Sequence, residues 1–179
     1  MDDDMALVGV LAGLGIMLVF AVFIALIMYI ISAIATFKYL KVRNYKNAWM
    51  AFIPYANHYA AVEATYGDVE KIKLFGLEVP SVVVKLFPII VSVASGIISQ
   101  IPGAGSSLSS LVWLLQIAVS VVIYRDQFYR IRKEISLGFA IFANIFTIVG
   151  IIYLLVSCSG LREGQYDYAT DTEVLESQA

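Results

Sequence analysis

The sequence predicts an all-α integral membrane protein: a bundle of four transmembrane helices plus one cytoplasmic interfacial helix. Three observations predict it. Of the 179 residues, 60% are apolar, and the mean hydropathy is +0.84, far above the apolar share of a soluble domain. Charged residues make up only 15% and are gathered into clusters. Between the clusters run four apolar segments of membrane-helix length. A chain of this size holds one domain of a few spans, expected over 1–161, with a flexible acidic tail over 162–179 that lacks the apolar residues to fold alone.

The first span is expected within 5–37. The chain opens MDDD and then runs apolar from Met5 to Phe37. As a helix that run would extend roughly 50 Å, against a hydrocarbon core of roughly 30 Å, so its surplus must tilt, kink or project. A signal peptide would open on positive charge and close on a small-residue cleavage site; this segment reads instead as a permanent span. Gly9 and Gly13, four apart with Ala6, Ala12 and Gly15 nearby, give it a small-residue face for close helix contact, with a homodimer seam as one form of that contact.

The segment 45–64, YKNAWMAFIPYANHYAAVEA, holds one of the two tryptophans and the only histidine. It reads as a helix over about 48–66; winding 47–68 places Asn47, Pro54, Asn57, His58, Thr65 and Asp68 on one side. Trp49, Phe52, Tyr55, Tyr59, Val62 and Tyr66 lie around the other, and only Glu63 breaks the pattern. That is the signature of a helix lying in the membrane interface, at a depth that suits Trp and Tyr. Pro54 fits a first helical turn. Trp49, Pro54, Asn57 and His58 are the residues expected to shape this elbow. A re-entrant dip into the membrane is the alternative course, and a catalytic or ligand site is the third reading.

The second span is expected over 80–101, with Pro80 in its first turn, Lys85 snorkelling to the headgroups and Pro88 kinking it. The linker PGAGSS at 102–107 joins it as an antiparallel hairpin to the third span, 107–124. The serines of 106–110 read as loop and helix cap. The segment 125–134, RDQFYRIRKE, continues the third span as an amphipathic helix. The fourth span is expected over 135–157.

Orientation follows from charge, because Lys and Arg collect on the cytoplasmic side. Placing Lys38–Lys46, 47–85 and Arg125–Lys133 inside leaves only Arg162 of the basic residues outside. With four spans, both termini are then expected to face out, in a plasma membrane.

Chemistry is sparse. One His and one Cys, Cys158, exclude an intramolecular disulfide and leave too few ligands for a metal site. The serines of 106–110 lie across the expected membrane from His58, so no activated nucleophile is expected. No glycine-rich phosphate loop is present. No cofactor, metal or nucleic-acid partner is expected, since orientation accounts for the basic residues. The polar intramembrane residues Ser95, Ser99, Gln116 and Asn144 read as hydrogen-bonding glue between helices or as a conduction path in an oligomer.

The pattern W-x-A-x-I-P-x-x-N-x-Y, carried by Trp49, Ala51, Ile53, Pro54, Asn57 and Tyr59, resembles a motif of small, uncharacterised multi-span membrane proteins of Gram-positive bacteria. It covers about a tenth of the chain. His58 stands where that pattern has an aliphatic residue. The resemblance implies a bacterial plasma membrane and no particular activity. The functional expectation is a non-catalytic protein, not an enzyme, whose partners are the lipid bilayer and another membrane protein or itself. It would act by helix packing as a subunit or as an accessory or protective factor. A small oligomeric transporter or channel is the alternative.

Overall fold

A computed structural model describes residues 2–101 and 105–169. Residues 102–104 of the expected linker and 170–179 of the expected tail lie outside the described residues. The chain divides into two units, Met1–Ser32 and Ala33–Ala179. Helix α1 (Asp2–Val42) carries the chain from one into the other.

In the first unit α1 is apolar on every side, and each residue from 11 to 27 is exposed. Leu, Val, Ile and Phe arranged all round a helix suit a hydrocarbon solvent rather than water. Among the described residues, Leu11–Val42 and Ser107–Arg132 are the two single helices long and apolar enough to cross a membrane.

The second unit begins where small residues let α1 pack, with Ala33 and Ala35 buried and then Tyr39 and Leu40 fully so. After α1 comes a 3₁₀ turn, Ala48–Phe52, and then helix α2 (Ala56–Tyr66). The single interfacial helix expected over 48–66 is therefore two pieces. Ile53 is extended and Tyr55 has φ +64°, a rare conformation for a bulky residue. Pro54 sits in this break, ahead of the helix rather than in its first turn. One side of α2 packs inside the protein: Ala60, Ala61, Val62, Ala64, Thr65 and Tyr66 are buried. A helical wheel drawn through the break had put Thr65 on the water side. Three alanines give α2 a face its neighbours approach closely.

A β-hairpin that the sequence reading missed follows, with β1 (Lys71–Leu74) antiparallel to β2 (Leu77–Pro80) and Ile72 opposite Val79. Its turn residues Phe75 and Gly76 have φ +55° and +79°, the left-handed pair of a type I′ turn. Ile72 and Leu74 face inward. With Val62, Tyr66, Val84, Val119, Val122 and Ile123 they form an apolar core cluster of this unit.

Pro80 ends β2 and precedes helix α3 (Ser81–Lys85); the chain breaks at Leu86 and resumes as α4 (Phe87–Ile98). The expected second span is thus divided. Pro88 opens a helix instead of kinking one, since its missing N–H costs nothing in a first turn. At 12 residues, α4 reaches about 18 Å. Helix α5 (Gly105–Arg132) takes Ser107–Ser110 into its opening turns, where the third span was expected to begin. It also continues through the basic segment, as the sequence led us to expect.

The expected fourth span is broken into α6 (Leu137–Ile145) and α7 (Thr147–Cys158), bent by 118° at Phe146. The Ser136 hydroxyl caps α6 by accepting from Phe139 N. The Thr147 hydroxyl donates to the Asn144 carbonyl at 3.4 Å, supplying a partner to one acceptor that the break releases. Glycine at 150 permits the fold-back, because a Cβ there would lie 2.9 Å from the Ala143 carbonyl oxygen. Phe128 of α5, Phe139 of α6 and Tyr153 of α7 stack together, with ring centroids 5.0 Å apart for Phe128–Tyr153 and 4.7 Å for Phe139–Tyr153.

The first part of the expected flexible tail is held in place. The N–H groups of Gly164, Tyr166 and Tyr168 donate to the carbonyls of Lys41, Val42 and Arg43 at 2.9, 3.1 and 3.1 Å. They satisfy acceptors that the end of α1 leaves without an intrahelical donor. Residues in hydrogen-bond contact share one side of a membrane. The tail and Lys41 were expected on opposite faces of the membrane; these three hydrogen bonds set residues 164–168 against the end of α1.

Candidate functional site

Polar side chains of the second unit converge on α2. Thr65 donates its hydroxyl to the Ala61 carbonyl at 2.6 Å. Its one proton is thereby committed, so Tyr39 is the donor in the 2.8 Å bond between the Tyr39 and Thr65 hydroxyls. Arg43, fully buried, donates from Nε to the Ala64 carbonyl at 2.8 Å. This is a cation at the negative end of a helix.

One residue earlier on α2, Glu63 takes two partners. The Tyr45 hydroxyl donates to its Oε2 at 2.7 Å, and the Lys85 ammonium lies 3.5 Å from its Oε1. Lys85 also sits over the Tyr59 ring, 5.4 Å from the centroid. Burial first, then the Glu63 carboxylate, pushes the Tyr45 hydroxyl above its ordinary range. Lys85 was expected to snorkel to headgroups; with 6% of its side chain exposed it is paired inside the protein instead, because Glu63 is within reach.

His58 meets the Val84 carbonyl through Nε2 at 3.1 Å. A carbonyl only accepts, so the ring carries its proton on Nε2. Burial lowers the pKa of His58, with the Val84 carbonyl opposing, and the ring is neutral at pH 7. The Asn57 side-chain oxygen accepts from the His58 backbone N–H at 2.6 Å. At the far end of α2, the Tyr66 hydroxyl donates to Asp126 Oδ2 at 2.7 Å, while Arg125 pairs with Oδ1 at 2.8 Å. Burial, then the Asp126 charge, raises Tyr66 well above the usual tyrosine range.

The ends of α1, α2, α5 and α7 meet here. Arg43 and Arg130 both lie within electrostatic range of Tyr39, and Lys38 and Arg132 within range of Cys158. Arg132 Nε donates to the Ser157 hydroxyl at 3.3 Å. Helix C-termini carry partial negative charge, and these cations offset it. The arrangement is a polar clamp: it joins the end of α1, helix α2, the approach to α4 and the end of α5 through charge and hydrogen bonds. Among the described residues, no three His, Cys, Asp or Glu side chains are grouped to hold a metal ion.

The expected site residues are scattered. A Cβ at Gly9 or Gly13 would meet nothing within 4 Å among the described residues. Trp49 and Pro54 are exposed; of the four elbow residues only Asn57 and His58 join the clamp. Ser99 bonds back to the Gly96 carbonyl of its own helix region at 2.9 Å. Ser95 and Asn144 are half-buried and Gln116 is exposed. Tyr39, Arg43, Tyr45, Glu63, Thr65, Lys85 and Asp126 were missed as site residues. Two of them carried a signal: Glu63 as the one residue that broke the amphipathic pattern, and Lys85 as a charge within an apolar segment. Comparison with protein-family models, curated proteins and solved structures finds no match for this chain.

Proposed function

We propose that this is an integral protein of a bacterial plasma membrane, crossed once by α1 and entered from the cytoplasmic side by two apolar hairpins, α4–α5 and α6–α7. One observation carries the topology. Residues 86–124 and 135–161 contain no charged side chain, and each stretch is flanked by basic residues at both ends. With the tail beside Lys41, all 12 Lys and Arg fall on one side, a better fit to the charge rule than four spans allow. Cysteine labelling tests it. In a Cys158→Ala background, Asp3→Cys is expected to react with a membrane-impermeant maleimide on intact cells, and Gln165→Cys only after permeabilisation. Labelling of Gln165→Cys on intact cells would overturn the topology.

Within that membrane the protein acts without catalysis, as a subunit or as an accessory or protective factor of a membrane complex. The clamp supports this reading: its ionisable groups are engaged with one another, an arrangement suited to holding helices in register. The W-x-A-x-I-P-x-x-N-x-Y motif supports the bacterial source. Co-purification from the native host in mild detergent tests the role. A stoichiometric membrane partner is expected, and a clean homo-oligomer counts against it.

A second reading, a small oligomeric transporter or channel, is favoured by the bend at Phe146. Broken apolar helices with a polar residue at the break, here Asn144, are typical of transport sites. Unchanged solute flux in liposomes after Asn144→Leu would remove it.

A further inference from the structure

The end of α1 is covered by the chain's own carboxylates. Glu163 Oε2 lies 3.4 Å from the Lys41 ammonium, and Asp167 Oδ2 accepts from the Asn44 amide at 2.7 Å. The Asn44 amide first, then the Ala169 N–H and Arg43, hold Asp167 below the usual carboxylate range. Tyr168 packs its ring 5.7 Å from that of Tyr45. Gly164, at φ +70°, turns the strap against Asn44; a Cβ there would come 3.6 Å from the Asn44 side chain. At the same end of α1, Lys38 and Lys46 are exposed and Lys41, which meets the strap, is half-exposed. This surface therefore holds anionic oxygens at two defined positions, the Lys41 ammonium and the Asn44 amide.

The apolar run of α1 ends at Phe37, immediately before these residues. Under the topology proposed above, on which this step rests, they lie level with the cytoplasmic headgroups. We infer that the end of α1, built from Lys38, Lys41, Asn44 and Lys46, binds the phosphate groups of anionic lipids, and that the acidic strap 163–168 is its intramolecular competitor. An anionic leaflet attracts the basic residues and repels the strap's carboxylates. Both effects shift the strap from docked to released, while a zwitterionic surface leaves it docked.

Hydrogen exchange on the full-length protein reads the strap directly, because the N–H groups of Gly164, Tyr166 and Tyr168 are the ones donated to α1. In phosphatidylcholine nanodiscs, peptide 163–169 is expected to be protected. With phosphatidylglycerol as half of the lipid, its exchange is expected to rise about fivefold or more. Equal protection in the two lipids overturns the inference. Inorganic phosphate at matched ionic strength in phosphatidylcholine is expected to leave the strap docked; release as large as with phosphatidylglycerol overturns the lipid assignment. The double variant Glu163→Gln/Asp167→Asn is expected to exchange faster in phosphatidylcholine. If it is as protected as the wild type, charge does not hold the strap and the competition fails. Nanodiscs expose both faces, so these outcomes do not depend on the side the tail occupies in cells, which the cysteine labelling decides separately.

Discussion

Helix α1 between residues 11 and 27 and helix α2 make an instructive pair. The first is built of Leu, Ile, Val, Phe, Met, Ala and Gly, and all of it is exposed; the second carries Asn57, His58, Glu63 and Thr65, and most of it is buried. In a water-soluble protein the two would exchange places. Where the surrounding solvent is hydrocarbon, an apolar helix needs no protein cover. A polar helix must find donors and acceptors inside the protein. In these two helices burial follows hydrogen-bonding need more closely than hydropathy.

Substitutions at matched positions test that contrast. The largest effect is expected at the clamp. Glu63→Ala leaves the Lys85 ammonium buried without its carboxylate and should cost about 3 kcal/mol, whereas Leu18→Ala on α1 should cost under about 0.5 kcal/mol. Thermal unfolding in one detergent compares them directly, and equal losses would break the contrast. Glycine substitutions come next. Gly150→Ala drives a methyl into the Ala143 carbonyl and should cost about 1–3 kcal/mol. Gly13→Ala meets open space and should stabilise α1 by up to about 1 kcal/mol. A destabilising Gly13→Ala would mean that a partner helix packs there after all.

Tyr39→Phe should cost about 1 kcal/mol, because Thr65 keeps its bond to the Ala61 carbonyl and only one hydrogen bond is lost. The smallest effect is a pH dependence. Burial depresses the pKa of His58 below the ordinary 6.5, so the unfolded chain binds the proton more readily than the folded one. Its contribution to stability is full above that ordinary value and is lost as pH falls through it toward the folded pKa. Unfolding midpoints of the wild type and His58→Asn, taken between about pH 8 and about pH 5, should differ in slope in that sense. Parallel curves would show that His58 does not titrate on unfolding.

Much of the helical architecture was legible because hydropathy and helical period are sums over neighbours. The long α1, the long α5 and the apolar nature of 137–158 follow from residues that sit beside each other in the chain. The hairpin of β1 and β2 was also within reach, since KIKL-FG-LEVP alternates about a two-residue turn. Phe in place of the usual Asn or Asp at the first turn position weakened that signal. Less of the site was legible. Glu63 and Lys85, Tyr39 and Thr65, Tyr66 and Asp126 lie far apart in sequence, and no local pattern announces which charge will meet which.

By itself the sequence determined that the chain holds helices long and apolar enough to cross a membrane, where they lie, and that the basic residues flank them. Local composition suffices for this, because transfer of a helix into hydrocarbon is close to a sum over its residues. Only the tertiary structure decided that α2 is buried, that α6 and α7 fold back at Phe146, and that the tail returns to Lys41. Each of these turns on contacts between distant segments: an ion pair, a glycine against a carbonyl, three backbone hydrogen bonds. Their energies depend on geometry that no sum over neighbouring residues contains.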